Sequence, residues 1–236
     1  MLLAVHAAIS VHSSGIRAEH RKSRSAFSTY KKTRSSKRIF TAPVFRKMIF
    51  MNYATIKKFD IANGPGVRVS LFVSGCRHRC KNCFNSEAWD FNYGNPFTED
   101  TLNELVEALN KSYIEGFSLL GGEPFEPENH STVCELLGKI KQTLPNKTVW
   151  CYTGFDFEKQ LLGGTVGDKE TVLKILKNSD VLVDGKFVEE LKSPDLLFRG
   201  SSNQRIIDVK PSLLQEKAVW LPGVWQRKMG SGNIYE

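Results

Sequence analysis

This 236-residue chain lacks several features that define common protein classes. It has no apolar run close to the roughly 20 residues that a membrane-spanning helix needs, so we expect a soluble protein with no membrane partner. Its five cysteines are an odd and sparse set that does not suit a disulfide framework. It also lacks internal repeats, and its length suits one globular domain with a substantial core.

Acidic residues are almost missing from the first fifty positions. Residues 1–50 contain eleven Lys/Arg and one acid, Glu19, a net charge of +10, whereas residues 51–236 contain 22 Lys/Arg and 24 acids, a net charge of −2. The overall charge of +8 therefore comes from the N-terminal stretch. Because the remainder is near neutral, we expect no nucleic-acid partner for the globular part.

Three of the five cysteines lie within eight residues. Cys76, Cys80 and Cys83 have the spacing C-x3-C-x2-C. Three thiolates on one loop can bind three irons of a [4Fe-4S] cluster, whereas complete ligation by protein takes four cysteines. The fourth iron is then open to a small molecule, like the vacant position of a catalytic metal site.

A zinc site is the main alternative for these cysteines. Together with His78 they could form a Cys3His set, and thiolates suit zinc as well as iron. Zinc modules usually have a second ligand pair at close spacing, however, and Cys134 and Cys151 are isolated. We interpret those two as small buried hydrophobic residues and His78 as a solvated side chain between two arginines. The spacing favours the cluster.

The cysteine loop and its surroundings resemble the radical S-adenosylmethionine (SAM) enzymes, and among them the activating proteins of anaerobic (class III) ribonucleoside-triphosphate reductases. One position departs from the superfamily pattern, because Asn82 stands where an aromatic residue usually precedes the last cysteine, and Phe84 follows that cysteine instead. The segments that carry the resemblance are Asn63–Gly66 with Arg68, Leu71–Cys76, Cys83–Asn85 with Trp89, Gly121–Pro124, Val183–Phe187 and Arg199–Gln204.

The resemblance implies a radical SAM activase. In such enzymes the amino and carboxylate groups of SAM chelate the open iron, and an electron from the reduced cluster cleaves SAM to methionine and a 5′-deoxyadenosyl radical. The implied protein substrate is the anaerobic reductase, from which one glycine hydrogen is abstracted. A low-potential electron donor such as flavodoxin or ferredoxin is implied, and the thiols that hold iron suit the reducing cytoplasm. The alternatives are an activase of another glycyl-radical enzyme, such as pyruvate formate-lyase, a radical SAM enzyme with a small-molecule substrate, and a non-enzymatic zinc-binding module.

The resemblance also assigns the SAM contacts. Gly121 and Gly122 match the segment that approaches the SAM amino group, where the absence of a Cβ lets the backbone come close. Asn82, Cys83 and Phe84 are expected near the adenine, with core packing the alternative for the Phe84 ring. No side chain is assigned a catalytic role. Two charged residues have further interpretations. Glu123 could face the SAM ammonium group or be a solvated turn acid, and Arg68 could pair with the SAM carboxylate.

The apolar pattern beyond residue 51 alternates between strands and helices, which predicts an α/β fold: a partial (β/α) barrel, or an open sheet, of mostly parallel strands. A cysteine, glycine or aspartate motif follows each of four predicted strands. Chemistry in parallel α/β folds lies at the carboxyl ends of strands, so these motifs should meet at one edge. The predicted strands are Val67–Val73, Phe117–Leu120, Lys147–Tyr152, Val181–Val183 and Arg205–Val209; helices are predicted after Thr98, from Val133 to Leu144, near Phe157–Leu162 and over Glu170–Lys177.

Three regions follow from these patterns. Residues 51–209 form the predicted radical SAM domain, residues 210–236 a tail without clear periodicity, and residues 1–50 a basic extension expected to be disordered. The extension could be an organellar transit peptide, a nucleic-acid- or partner-binding arm, or an upstream extension of the reading frame. The start of the resemblance at Met51 favours the last explanation.

Overall fold

The computed structural model describes residues 51–223, which form a seven-stranded sheet with helices. The predicted extension, residues 1–50, and the last part of the predicted tail, residues 224–236, lie outside the described residues. The strands are β1 Asn52–Asp60, β2 Arg68–Val73, β3 Asn95–Pro96, β4 Gly116–Gly121, β5 Thr148–Tyr152, β6 Val181–Asp184 and β7 Arg205–Asp208. The α-helices are α1 Glu99–Leu109, α2 His130–Thr143, α3 Lys169–Lys177 and α4 Val209–Gln215, and single helical turns lie at Ser86–Trp89, Phe157–Leu162 and Glu189–Leu191.

The sheet is built around four parallel strands. Its order is β3-β1-β2-β4-β5-β6-β7, and β2, β4, β5 and β6 run parallel to one another. The outer strands β1 and β7 pair antiparallel with this set, and β3 pairs antiparallel with β1. No α-helix separates β6 from β7, so the chain returns antiparallel. The predicted α/β fold with a mostly parallel core is confirmed, and the sheet is open.

The two faces of the parallel strands have different roles, because successive side chains point to opposite faces. On one face Leu71 and Leu119 belong to the main hydrophobic core, together with buried residues of α1, α2 and α3. On the opposite face Trp150 belongs to a second, smaller cluster, while Leu120 and Tyr152 line a cavity. The helices thus cover one face and leave the other for a site.

Helix α1 shows how local sequence sets these elements. The Thr98 side chain accepts a hydrogen bond from the Thr101 N–H at 3.3 Å and caps the helix. Leu102, Leu105 and Leu109 then recur on one face and are buried in the core. The periodicity predicts this helix correctly, and the amphipathic face fixes it against the sheet.

Two strands and one α-helix, besides the single turns at Ser86–Trp89 and Glu189–Leu191, were not predicted from the sequence. These are β1, β3 and α4, of which β1 mixes exposed and half-buried positions without regular alternation. The described part of the predicted tail contains most of α4, and Trp220 then pairs antiparallel with Ile207 of β7. The remaining predicted strands and helices are present, although Phe157–Leu162 is a single π-helical turn.

Two sequence-based expectations about the core hold. Cys151 is fully buried in β5, and Cys134 packs partly buried against the main core, so both behave as small hydrophobic residues. No helix within residues 51–223 is long and apolar enough to cross a membrane.

Candidate iron–sulfur site

The three clustered cysteines lie in the loop that follows β2 and border one cavity of about 380 Å³. Cys76 is buried, whereas Cys80 and Cys83 are half-buried. Arg79 and Asn82, each directly before a cysteine, have φ angles of 48° and 55°. This left-handed conformation is uncommon for residues other than glycine. The two turns bring all three thiols to the same cavity.

Burial and backbone N–H donors shift the pKa of the Cys76 thiol in opposite directions. Burial raises the pKa of the Cys76 thiol to about 12, and the carboxylate of Glu123 adds to this rise. The N–H groups of His78 and Arg79 donate hydrogen bonds to the sulfur and favour the thiolate. A metal must displace the proton of such a thiol, so binding of iron is coupled to proton release.

The loop after β6 contacts the cysteine loop from the other side. Burial raises the pKa of Cys80, while the nearby Lys186 ammonium and the Phe187 N–H, which donates to the sulfur, act against that rise. Lys81 also lies 3.1 Å from a carboxylate oxygen of Glu190. The Lys186 ammonium and the Phe187 N–H therefore favour negative charge on the Cys80 sulfur, as ligation of a cluster requires.

The spacing of the thiols suits a multi-iron cluster better than a single zinc ion. A tetrahedral zinc ion with Zn–S bonds of about 2.3 Å holds its sulfur ligands about 3.8 Å apart. In the described part of the chain, no three ligand atoms from these cysteines and His78 lie within 4.8 Å of one another. His78 Nε2 instead lies 2.9 Å from a carboxylate oxygen of Glu123. The donor set therefore fits a [4Fe-4S] cluster.

A group of three carboxylates near the end of β6 has a different role. Among the described residues, Asp156, Glu158 and Asp184 are the one such group with ligand atoms within 4.8 Å of one another. The Arg205 guanidinium donates to Glu158 at 2.7 Å and to Asp184 at 2.9 Å, and its pKa is raised, first by the hydrogen bond to Asp184. Because this cation already pairs with the carboxylates, we interpret the group as a structural ion-pair network.

The loops after β2, β4, β5 and β6 all line the cavity, as predicted from their positions after strands. Representative lining residues from these loops are Cys76, Gly122, Thr153 and Gly185. The connection between β6 and β7 adds an apolar wall that includes Phe198, which sequence reasoning missed. The signal in the sequence that could have revealed this wall is the presence of isolated apolar residues, such as Phe198, within a polar segment.

Gly121 and Gly122 line the cavity as expected, but the structure shows a further reason for glycine at both positions. A Cβ on Gly122 would lie 2.6 Å from the Gly75 carbonyl oxygen and 2.8 Å from that of Ala88. Gly121 has a φ of 112°, and a Cβ there would lie 2.6 Å from the Phe72 backbone. Gly121 is thus required by the close approach of β4 to β2, and Gly122 by the packing of the loop after β4 against Gly75 and Ala88.

The interpretation of Glu123 as a solvated turn acid does not match the structure. Glu123 lines the cavity but is only 1% exposed. Its carboxylate accepts hydrogen bonds from the N–H groups of Phe125 and Gly154 and from the Thr153 hydroxyl, and lies 2.9 Å from His78 Nε2, so it is not a solvated acid. The expectation that His78 is solvated is also wrong. Its side chain is 14% exposed and its ring packs edge-on against Phe155, with centroids 4.4 Å apart.

Asn82 and Phe84 both lie at the cavity, on either side of Cys83. The Phe84 side chain is 83% exposed, which excludes the alternative that it packs in the core. An aromatic ring at the mouth of a cavity is available to stack on a base or to contact a partner.

Arg68 does not lie where the sequence interpretation placed it. It begins β2, at the opposite end of the strand from the cysteine loop, and is fully buried. Its guanidinium donates to Ser118 Oγ, to both the side chain and carbonyl of Thr148, and to the carbonyls of Pro65 and Phe117. Burial lowers its pKa to about 10. With its donors satisfied by the protein, Arg68 is structural.

The segment Arg199–Gln204, one of those that carry the resemblance, borders the cavity. Gln204 accepts hydrogen bonds from the N–H groups of Gly200 and Ser201 and donates to the Gly185 carbonyl at 3.0 Å. It therefore fixes the β6–β7 connection against the loop after β6.

Comparisons with known proteins agree with this geometry. A family model described as "4Fe-4S single cluster domain" matches residues 62–207. The chain is 42% identical over 158 residues to the anaerobic ribonucleoside-triphosphate reductase-activating protein of Enterobacteria phage T4, covering 66% of this chain and 93% of that protein. Proteins with the same name from Escherichia coli K12 and Vibrio cholerae O1 are 40% and 39% identical, covering 65% and 66% of this chain and 96% and 97% of their own lengths.

Proposed function

Because this chain belongs to the family of anaerobic ribonucleoside-triphosphate reductase-activating proteins, we propose that it generates the glycyl radical of such a reductase by reductive cleavage of SAM. The observation that carries the proposal is the convergence of Cys76, Cys80 and Cys83 on one cavity at the carboxyl end of the parallel strands. Three thiolates would each hold one iron of a [4Fe-4S] cluster.

The same cavity would hold SAM beside the cluster. Its volume of about 380 Å³ lies within the range of small-molecule sites, roughly 300–1,000 Å³. Gly121 and Gly122 would present backbone to the amino group of SAM, while Asn82 and Phe84 would border the adenine. With both groups bound, the chemistry they supply is one-electron cleavage of the sulfonium C–S bond to methionine and a 5′-deoxyadenosyl radical, which can take the glycine hydrogen.

The chain's own residues bind and shield these groups. N–H donors from His78, Arg79 and Phe187 stabilise negative charge on the cysteine sulfurs. The apolar wall that includes Phe198 limits access of water to the reacting atoms. The electron would come from an external low-potential donor such as flavodoxin or ferredoxin, and the need for reduced thiols supports a cytoplasmic location.

The test is anaerobic reconstitution with iron and sulfide, followed by dithionite reduction. We expect about four irons and an equal amount of sulfide per chain, and formation of 5′-deoxyadenosine from SAM. Incubation with a purified anaerobic reductase should then give the glycyl signal in electron paramagnetic resonance (EPR). A colourless protein with one zinc refutes the cluster. A signal on pyruvate formate-lyase but not on the reductase assigns a different substrate.

A further inference from the structure

Two buried carboxylates connect the loop after β4 to the cysteine loop. Glu123 and Glu126 are 1% and 2% exposed. Glu123 lies 2.9 Å from His78 Nε2, and Glu126 accepts from the Arg77 backbone N–H at 2.7 Å and from its guanidinium at 2.6 Å. Buried charges are rare unless they are fully hydrogen-bonded, so both contacts are specific features of the loop.

The Glu123 carboxylate is saturated with hydrogen-bond donors. Besides His78, it accepts from the N–H groups of Phe125 at 2.9 Å and Gly154 at 2.7 Å, and from the Thr153 hydroxyl at 2.8 Å. The His78 Nε2 lies 2.9 Å from the same carboxylate oxygen that accepts from Gly154. One side chain thereby ties together the loops after β2, β4 and β5.

Close contacts with rings also restrict residues 77 and 78. The His78 ring lies so close to Gly154 that a Cβ there would be 2.5 Å from it. Arg77, whose backbone and side chain both bind Glu126, places its guanidinium 4.5 Å from the centre of the Phe91 ring. Residues 77 and 78 therefore have one orientation in this loop.

This orientation matters for the proposed cluster. Glu126 holds Arg77 and Glu123 holds His78, the two residues that directly follow Cys76. The backbone N–H groups of His78 and Arg79 favour the Cys76 thiolate and so act on its sulfur as donors. Hydrogen bonds to cluster sulfurs raise the reduction potential, because they stabilise the more electron-rich reduced state. Residues that orient the ligand loop act on the cluster without touching it.

We propose that Glu123 and Glu126 are positioning residues that set the reduction potential of the cluster, by holding Arg77 and His78 so that two N–H groups donate to the Cys76 sulfur. The inference rests on the proposed [4Fe-4S] cluster but needs neither SAM nor the reductase. It also assigns Glu123 a role other than contact with an ammonium group.

The experiment is an EPR-monitored redox titration of the reconstituted protein without SAM. His78→Phe retains a ring against Phe155 and removes the bond to Glu123. The ratio of reduced to oxidised cluster at a fixed potential should fall about threefold, which corresponds to a shift of about 30 mV to more negative potential for a one-electron couple. His78→Gln keeps a donor and should recover part of this loss. Amide exchange at residues 78 and 79 of the iron-free His78→Phe protein should be faster than in the wild type.

Thr148→Val is the matched control for a general loss of stability. Thr148 Oγ1 accepts from Arg68 at 3.1 Å, at the far end of the sheet, so this variant also loses a hydrogen bond to a charged group. It should leave the potential unchanged. A wild-type potential in His78→Phe, or an equal shift in Thr148→Val, overturns the proposal.

Glu126→Gln tests the second carboxylate independently and applies if His78→Phe fails to fold. It keeps the size of the side chain but leaves one of the two Arg77 contacts without an acceptor, so the potential should again move to more negative values. An unchanged potential in this variant overturns the role of Glu126. Failure of the wild type to form any [4Fe-4S] cluster would refute the proposed function, and is distinguished from failure of this inference by iron and sulfide analysis.

Discussion

The contact between the β4 loop and the cysteine loop gives a quantitative prediction at Gly122. An alanine Cβ there would lie 2.6 and 2.8 Å from two backbone carbonyl oxygens, those of Gly75 and Ala88. Favourable contact distances lie near 3.5 Å, so both oxygens must move by about half an ångström or more. Backbone atoms cannot rotate away as a flexible side chain can. We therefore expect Gly122→Ala to lower the free energy of unfolding by about 1–3 kcal/mol, the usual cost of overpacking.

Gly138 provides the matched control. It lies within α2, and a Cβ added there would meet nothing within 4 Å. Gly138→Ala should therefore raise the free energy of unfolding by about 0.5–1 kcal/mol, because it lowers the entropy that the helix loses on folding.

The assay is thermal unfolding of the two variants followed by circular dichroism, under identical conditions and without iron. For a protein of this size about 1 kcal/mol shifts Tm by about 2–4 °C, so Gly122→Ala should unfold several degrees below the wild type and Gly138→Ala slightly above it. Gly122→Ala should also load less iron, since the displaced carbonyl of Gly75 adjoins the first cysteine. Equal Tm values for Gly122→Ala and the wild type, with full iron loading, would refute the close packing of the two loops.

Three further predictions concern other parts of the chain. Cys80→Ala should abolish cluster formation, whereas the control Cys134→Ala should retain about four irons per chain. Iron and sulfide analysis measures both. A full cluster in Cys80→Ala would disprove the ligand assignment. Arg68→Lys keeps the charge but offers fewer donors, so it should lower the free energy of unfolding by about 3 kcal/mol, as measured by urea titration. The formation of 5′-deoxyadenosine per folded cluster should stay at the wild-type level. A selective loss of SAM cleavage would show instead that Arg68 acts at the site. Burial opposes ionisation of Asp60, but hydrogen bonds led by that from Asn63 hold its pKa below the usual value. The stabilisation is therefore present above the unfolded pKa of about 3.9 and is lost as pH falls through the folded pKa. Asp60→Asn should lower stability at pH 7 by about 1–3 kcal/mol. This difference should shrink progressively as the pH falls below about 4. A difference that stays constant from pH 7 down to about pH 2 would contradict the assignment.

Most of the central fold was predictable because its determinants are local. The Thr98 cap and the leucine repeat define α1 within one segment, and the runs of β-branched and aromatic residues define β2, β4, β5 and β6. The antiparallel β1 has charged, partly exposed positions and becomes a strand by pairing with β2, which no local pattern indicates. The direction of β7 likewise depends on the connection that precedes it.

The sequence by itself determined the spacing of Cys76, Cys80 and Cys83, and the placement of each candidate loop after a strand. Tertiary structure alone decided which polar groups meet. His78 and Glu123 are 45 residues apart, and Arg68 is 80 residues from Thr148, so neither contact leaves a periodic signal in the chain. The order of the strands brings these partners together. Because a buried charge without a partner costs much free energy, each buried charged side chain pairs with the polar groups nearest to it.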